Sequence, residues 1–189
     1  MDSVLIVSSN DKAAELLTPM LIQNGIESIM TVKTAGEARR ITIEREFDLC
    51  IINAPLSDET GEQLSRNIAQ DGESQVILLV RAELAEDVAN AVEGEGVLVV
   101  GKPIQRAVMG SVLRLARASF NRISALRTKN KALLRKIEDI RLIDRAKCIL
   151  IEYLRMSETE AHHYIEKQAM DMRQTKREVA LDILKTYEE

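Results

Sequence analysis

Short apolar segments alternate with helix-like segments through the first hundred residues, and this alternation constrains the fold more than any other feature. The five apolar segments are the predicted strands Val4–Val7, Glu27–Val32, Leu49–Asn53, Gln75–Val80 and Val97–Val100. Their apolar residues run almost continuously, which is typical of strands that are covered on both faces. We therefore predict a parallel sheet with helices on both sides.

The segments between these strands have the spacing and the end signals of amphipathic helices. We predict helices over residues 12–24, 34–45, 60–71 and 85–93. Two of them begin with apparent capping boxes, Thr34-Ala35-Gly36-Glu37 and Thr60-Gly61-Glu62-Gln63. Five such βα units indicate a flavodoxin-like (βα)5 α/β domain over residues 1–105. In this class of sheet, the functional crevice lies at the carboxyl ends of the strands.

Beyond Pro103 the pattern changes to one long helix with a heptad repeat. The a positions hold Ala116, Ile123, Asn130 and Ile137, and the d positions hold Ser119, Leu126, Leu133 and Ile140. A repeat of this length is typical of a coiled coil, and an asparagine at an a position favours a parallel pair of helices. We predict a coiled-coil linker over residues 106–136; the alternative is a helix that packs this stripe on its own domain. The expected homodimer seam comprises Ile123, Leu126, Asn130, Leu133 and Ile137.

Residues 137–189 predict a compact module of three helices. The segments Ser157-Glu158-Thr159-Glu160 and Thr175-Lys176-Arg177-Glu178 have the pattern of capping boxes, so they mark the starts of the second and third helix. Apolar residues recur with helical spacing in all three segments. Tyr153 and Tyr164 fall on these apolar faces and are assigned to the core.

Charge is distributed unevenly along the chain, although the net charge is only −4. Residues 1–113 carry 9 Lys+Arg and 18 Asp+Glu, giving −9, whereas residues 114–140 carry 8 and 2, giving +6. Residues 141–189 carry 9 and 10, giving −1. The basic middle segment is either a solvated helix face or a surface for an acidic partner.

Cysteine content and hydropathy indicate a cytoplasmic protein. The two cysteines, Cys50 and Cys148, lie in apolar stretches and are predicted to be buried thiols in a reducing compartment. No apolar run approaches the roughly 18 residues of a membrane span, and no signal peptide is recognised. The sequence contains no Gly-rich phosphate loop, no metal-spaced Cys/His set and no nucleophile beside a base. We therefore expect neither an enzyme nor a bound cofactor or metal.

The first domain resembles the receiver domain of bacterial response regulators, except at the site of phosphorylation. Ser8 and Ser9 stand where the family has an acidic pair, Asn53 where it has the acceptor aspartate, Val80 or Arg81 where it has Ser or Thr, and Lys102 where it has lysine. An amide cannot form an acyl phosphate, and serines are poor ligands for Mg²⁺. The resemblance therefore implies a pseudo-receiver, for which a histidine kinase is a doubtful partner.

The last domain resembles the ANTAR domain over roughly residues 137–185. The resemblance lies in three segments, Arg145-Ala146-Lys147-Cys148-Ile149-Leu150, Ser157-Glu158-Thr159-Glu160-Ala161 and Ala169-Met170. Cys148 replaces the glycine that is usual in the family. The resemblance implies an antiterminator that binds, as a dimer, a hairpin in nascent mRNA and prevents the competing terminator from forming.

Basic residues of the last domain are the candidates for RNA contacts, because RNA phosphates require Lys or Arg. The candidates are Arg141, Arg145, Lys147, Lys167, Arg173, Lys176 and Arg177. Possible stacking partners for the bases are Tyr153, Tyr164, His162 and His163, with the core as the alternative for the two tyrosines. Two alternatives remain open: a DNA-binding regulator of the receiver type, and a scaffold that binds only protein. The DNA-binding alternative needs one basic recognition helix, and the basic residues are spread over several.

Overall fold

The computed structural model describes residues 1–71 and 74–188 and divides into two compact units, Met1–Ala125 and Leu126–Glu189. The first unit contains a five-stranded, wholly parallel sheet with strand order β2-β1-β3-β4-β5. Its strands are β1 (Ser3–Val7), β2 (Ser28–Val32), β3 (Leu49–Asn53), β4 (Gln75–Arg81) and β5 (Leu98–Lys102). The predicted (βα)5 architecture is confirmed.

Seven helices accompany the sheet in the described part of the chain. They are α1 (Asp11–Gln23), α2 (Ala35–Glu44), α3 (Glu62–Asp71), α4 (Ala85–Val92), α5 (Arg106–Leu154), α6 (Glu158–Met172) and α7 (Lys176–Glu188). Short 3-10 turns, Ala82–Leu84 and Glu93–Glu95, flank α4.

Helices cover both faces of the sheet, as the continuous apolar strands predict. On one face, residues of α2, α3 and α4 pack against alternate strand residues such as Leu5 and Leu78. On the other face, residues of α1 and the start of α5 pack against Ile6 and Ile77. In a sheet of this class, the functional crevice lies at the carboxyl ends of the strands.

Helix starts follow the predicted signals only in part. The Thr34 hydroxyl accepts a hydrogen bond from the Glu37 backbone, as expected for an N-cap, but the Glu37 carboxylate accepts one from Lys33 rather than from Thr34. At α3, the carboxylate of Glu59 accepts a hydrogen bond from the Leu64 backbone. The first turn of α3 is thus served by a residue just before the predicted Thr60 box.

The start of α5 belongs to the core of the first unit. Met109, Leu113 and Ala116 are almost fully buried against the sheet, and Arg117 donates a hydrogen bond to the Asn24 carbonyl at 2.7 Å. The predicted heptad has Ala116 at its first a position, and this side chain is already covered by the first unit. The 49-residue helix then continues without interruption to Leu154.

An apolar stripe on the middle of α5 stays exposed in the single chain. Its members and their exposed fractions are Ile123 41%, Leu126 57%, Leu133 57%, Ile137 46% and Ile140 59%. The spacing of these side chains is that of the predicted heptad seam, with Asn130 between Leu126 and Leu133. The homodimer and the domain bounds 1–105, 106–136 and 137–189 stay predictions.

The second unit is a three-helix bundle made by the end of α5, α6 and α7. Its core contains Ala146, Leu150, Ile165, Val179 and Leu184, all buried. Leu150 and Ile165 are each 1% exposed, and truncating such a side chain to alanine costs about 2–5 kcal/mol of stability. The three-helix module is confirmed.

Both predicted capping boxes of this unit are formed. At α6, Ser157 accepts from the Glu160 backbone while the Glu160 carboxylate accepts from the Ser157 backbone at 2.8 Å. At α7, the Thr175 hydroxyl accepts from the Glu178 backbone, and the Glu178 carboxylate accepts from the Thr175 backbone at 2.7 Å. These bonds satisfy backbone donors that the first helical turn leaves unpaired.

The capping boxes make the bundle sensitive to acid. Backbone hydrogen bonds from Ser157 and Thr175 lower the pKa of Glu160 and of Glu178 below the usual 4.5. A lowered folded pKa stabilises the fold above the unfolded value, and that contribution is lost as the pH falls below about 4.5. The Tm advantage of the wild type over an E160Q/E178Q variant, measured by circular dichroism, should therefore shrink on acidification. An advantage that is constant across this pH range would contradict the assignment.

Three side chains are more exposed than the sequence patterns suggest. Tyr153 is 58% exposed, and its ring lies against that of Tyr187 with the centroids 5.3 Å apart. Tyr164 is 37% exposed, so the assignment of both tyrosines to the core was wrong. Cys148 is exposed because Ala146, Ile149 and Leu150 define the buried face of α5 at this level. Cys50 is buried as predicted, and burial raises the pKa of its thiol to about 12.

No helix in residues 1–71 or 74–188 is long and apolar enough to cross a membrane.

Candidate functional site

The carboxyl edge of the sheet brings together three of the residues that the sequence singles out. Ser8 follows β1, Asn53 ends β3 and Lys102 ends β5. Ser8 and Asn53 are buried, with 1% and 7% of their surface exposed, whereas Lys102 is half-buried. Ser9, the other residue at the predicted acidic pair, is exposed, and its hydroxyl lies 3.5 Å from the Pro55 carbonyl.

Hydrogen bonds connect these side chains into one network. The Asn53 amide donates to the Ser8 hydroxyl at 3.0 Å, and that hydroxyl donates to the Asn10 carbonyl at 2.9 Å. The Lys102 ammonium donates to Asn53 Oδ1 at 3.0 Å and to the Ala54 carbonyl. Both the donor and the acceptor of the Asn53 amide are thus paired within the protein, as buried polar groups require.

Positive charge is not balanced by a carboxylate in this network. Partial burial lowers the pKa of Lys102, and the nearby charge of Arg81 lowers it further. Arg81 is the last residue of β4 and lies in register beside Lys102. Of Val80 and Arg81, the two candidates for the position where receiver domains have Ser or Thr, it is therefore Arg81 that ends the strand. A network of one ammonium, one amide and one hydroxyl gives the edge a positive character.

This set of side chains does not fit the magnesium ion that the receiver fold implies. Mg²⁺ prefers carboxylate oxygens in octahedral geometry, and here the Asn53 oxygen already faces an ammonium group. Among the described residues, no three His, Cys, Asp or Glu side chains come together as a metal site.

The three aspartates that are near this edge in sequence have other roles. Asp11 forms an ion pair with Lys33 at 2.9 Å, and Asp48 accepts from the Ser3 backbone at 3.1 Å. Asp58 accepts from the first backbone N–H groups of α2, and the hydrogen bond from Ala35 is the largest cause of its lowered pKa. The contacts of Asp11 and Asp58 fix a loop and a helix end at the carboxyl edge, whereas Asp48 lies at the opposite edge, where β1 and β3 begin.

In the second unit, three of the seven RNA-binding candidates form ion pairs within the bundle. Lys147 contacts Asp144 at 2.8 Å, and this hydrogen bond raises its pKa. The other two pairs are Lys176 with Glu166 at 2.6 Å and Arg177 with Asp139. The Arg177 pair joins α7 to α5, so this side chain has a structural role whatever else it contacts.

The remaining candidates differ in their surroundings. Arg141, Lys167 and Arg173 are exposed, and the described residues hold no ion pair with any of them. Arg145 is exposed but has a partner of its own. Lys167 lines a groove together with Arg155, which sequence reasoning did not select. The sequence signal that could have identified Arg155 is its position directly after a helix, where glycine or asparagine is usual.

Two family profiles match the chain. The profile described as the response regulator receiver domain matches residues 4–114, and the profile described as the ANTAR domain matches residues 131–184. The chain is also 26% identical over 170 residues to the transcriptional regulatory protein PdtaR of Mycobacterium tuberculosis, an alignment that covers 90% of this chain and 83% of PdtaR.

Solved structures show the same fold for the first unit. The signal receiver domain of an HD domain-containing protein from Pseudomonas fluorescens Pf-5 aligns with a TM-score of 0.57 and 22% identity, covering 67% of this chain and 92% of that domain. A two-component response regulator from Clostridium difficile aligns with a TM-score of 0.54 and 18% identity, covering 64% of this chain and 99% of that one. At this identity the likeness concerns the fold alone.

Proposed function

We propose that this chain, which belongs to the response regulator receiver family and carries an ANTAR domain, is a transcription antitermination regulator that binds hairpin RNA as a dimer. The match of the ANTAR profile to residues 131–184 is the observation that carries the proposal. The order of receiver, long helix and three-helix bundle supports it, as does the similarity to PdtaR over 90% of this chain.

The chemistry of the bundle is compatible with hairpin RNA. Sequence-specific proteins read RNA chiefly at single-stranded loops, whose bases are free to stack on side chains, while Lys and Arg hold the flanking phosphates. The bundle offers exposed cations at Arg141, Lys167 and Arg173. Its net charge is close to zero, so RNA binding depends on local grouping of cations rather than on bulk attraction.

The exposed stripe of α5 supports dimerisation. A stripe of large apolar side chains on one helix face is costly to leave in water, at about 25 cal/mol per Å² of apolar surface. A second copy of α5 would cover it with the heptad geometry of a coiled coil. Asn130 on this stripe would favour two parallel helices in register.

The receiver would act without phosphorylation at Asn53. An amide lacks the nucleophilic oxygen of a carboxylate. The side-chain oxygen of Asn53 already accepts a hydrogen bond from the Lys102 ammonium. The input would then be a ligand or protein that docks on the first unit, and a histidine kinase is a doubtful partner. This regulator would work in the cytoplasm, where nascent transcripts are found, and would need no cofactor.

Crosslinking of the chain to cellular RNA, followed by sequencing, tests the function and identifies the transcripts. A hairpin recovered in this way should bind the purified chain with an affinity that falls steeply with salt. In a plot of log affinity against log salt concentration, the slope should steepen by about 0.7–0.9 for each phosphate that the protein neutralises. A hairpin of equal length with a scrambled loop and a DNA duplex are the controls. Equal binding of the three nucleic acids would refute the proposal.

A further inference from the structure

We infer that the second unit holds a two-part RNA site, in which Tyr164 separates a basic groove for backbone phosphates from a pocket for one unstacked base. The inference rests on the proposed function, since it assigns the contacts by which the RNA would be held. Tyr164 lines both the groove and the pocket, and it is 37% exposed.

The basic groove lies where α5 passes into α6. It is open, has a volume of about 470 Å³ and is lined by Arg155, His163 and Lys167 beside Tyr164. His163 and Lys167 are four residues apart on α6, so they lie on one helix face. Within the described residues, neither Arg155 nor Lys167 has a carboxylate at ion-pair distance, which distinguishes them from Lys147, Lys176 and Arg177.

One carboxylate, that of Glu160, also lines the groove. It accepts hydrogen bonds from the Ser157 backbone at 2.8 Å and from the Ser157 hydroxyl at 2.7 Å, so its oxygens are committed to the capping box. His163 is turned partly toward Glu166, at 3.5 Å. Two uncommitted cations thus face solvent here, which is the arrangement that a phosphate backbone requires.

The backbone of Arg155 adopts a conformation that is unusual for a residue other than glycine, and Arg173 at the end of α6 shares it. The φ of Arg155 is +54°, in the left-handed region that favours glycine at the end of a helix. An arginine there is locally unfavourable, and residues held in such conformations concentrate at functional sites. The Arg155 side chain lines the groove.

The pocket lies between α6 and α7 and the end of α5. Its volume is about 230 Å³, below the roughly 300–1,000 Å³ of pockets for drug-sized ligands, so it suits a group with one or two rings. Tyr164, Tyr187 and Met172 supply flat or polarisable surface, and Gln168 and Asp182 supply polar groups.

The adjacency of the two parts indicates RNA rather than a free small molecule. A nucleotide in a loop carries a phosphate and a base on one sugar, and an unstacked base commonly binds an aromatic side chain. A small apolar ligand would use the pocket and leave the cations of the groove without function. Because Tyr164 lines both parts, one nucleotide of a single-stranded loop could place its phosphate in the groove and its base in the pocket.

Arg155→Gly is the first test, because glycine accepts the positive φ and the variant should be at least as thermally stable as the wild type. The probe is a hairpin that the full chain selects from a pool with a fixed stem and a randomised loop. We expect the affinity to fall about tenfold and the log–log salt slope to fall by roughly 0.7–0.9. Arg155→Lys should keep most of the slope, and Lys185→Gln, an equal loss of charge on exposed α7, should change neither quantity.

Tyr164→Leu is the second test, since leucine keeps apolar packing and removes the aromatic face. The affinity should fall about five- to hundredfold with little change in the salt slope. One abasic loop nucleotide should abolish the difference between Tyr164→Leu and the wild type. Lys167→Gln repeats the groove test at a residue whose replacement does not touch the backbone conformation.

The outcomes separate the site from the function. Failure of the wild type to select any hairpin would refute the proposed function and the site together. A selected hairpin that binds the Arg155, Lys167 and Tyr164 variants as tightly as the wild type would refute the site and leave the function standing. Parallel losses in affinity, with Tm values at or above that of the wild type, would establish the site.

Discussion

Replacing Leu126 and Leu133 together by glutamine should convert a dimeric chain into a monomer and weaken hairpin binding about a hundredfold. Both leucines are 57% exposed in the single chain, so their replacement removes little from the fold of either unit. In a coiled coil they would be d-position residues inserted between helices. The loss of RNA affinity follows if two linked bundles bind together, because linkage raises avidity by about 10²–10⁴.

Analytical ultracentrifugation and RNA titration of the same samples measure both effects. Leu115→Gln is the matched control, since Leu115 lies on the same helix, is also 57% exposed and precedes the stripe. It should leave mass and affinity unchanged. A double variant that remains dimeric would show that another surface forms the dimer, and a monomeric wild type would exclude the seam altogether.

Phosphorylation should appear only when the whole acceptor site is rebuilt. Wild type and Asn53→Asp alone should take up no label from acetyl phosphate with Mg²⁺, because a single carboxylate beside Lys102 still lacks the ligands that hold the metal. A variant with Ser8→Asp, Ser9→Asp, Asn53→Asp and Arg81→Thr supplies the acidic pair, the nucleophile and the hydroxyl. We expect that variant to be labelled in a form that hydroxylamine cleaves, as an acyl phosphate would be.

Stability gives a second measurement on the rebuilt site. Ser8 is 1% exposed, so a carboxylate there is costly to bury unless a cation binds it. Mg²⁺ should therefore raise the Tm of the rebuilt variant, through binding to the folded state, and leave that of the wild type unchanged. Labelling of the wild type would overturn the pseudo-receiver proposal, and labelling of Asn53→Asp alone would show that the acidic pair is not required.

Local rules were sufficient to predict most of the fold. Continuous apolar strands predicted a sheet covered on both faces, and Ser157 with Glu160 predicted the start of α6, because each pattern depends on neighbours in sequence. Local rules could not place Ala116, which satisfies a heptad position and a receiver core position equally well. Only the three-dimensional packing of α5 on the sheet distinguishes the two.

The sites were predicted less completely than the fold. A contact from Lys102 to Asn53 could be anticipated from the order of parallel strands, whose carboxyl ends meet at one edge. The ion pairs of Lys147, Lys176 and Arg177 could not, because they depend on how three helices pack. Arg155 was missed because its signal is a backbone angle, and a sequence records a basic residue without recording its φ.

The network of Ser8, Asn53 and Lys102 has a consequence for whatever binds at the carboxyl edge of the sheet. In a receiver that has several carboxylates at this edge, a bound cation is needed to balance their negative charge. Here hydroxyl, amide and ammonium already hold one another in place. A molecule that docks on this edge therefore meets donors and acceptors that are ordered in advance, and little of its binding free energy is spent on arranging them.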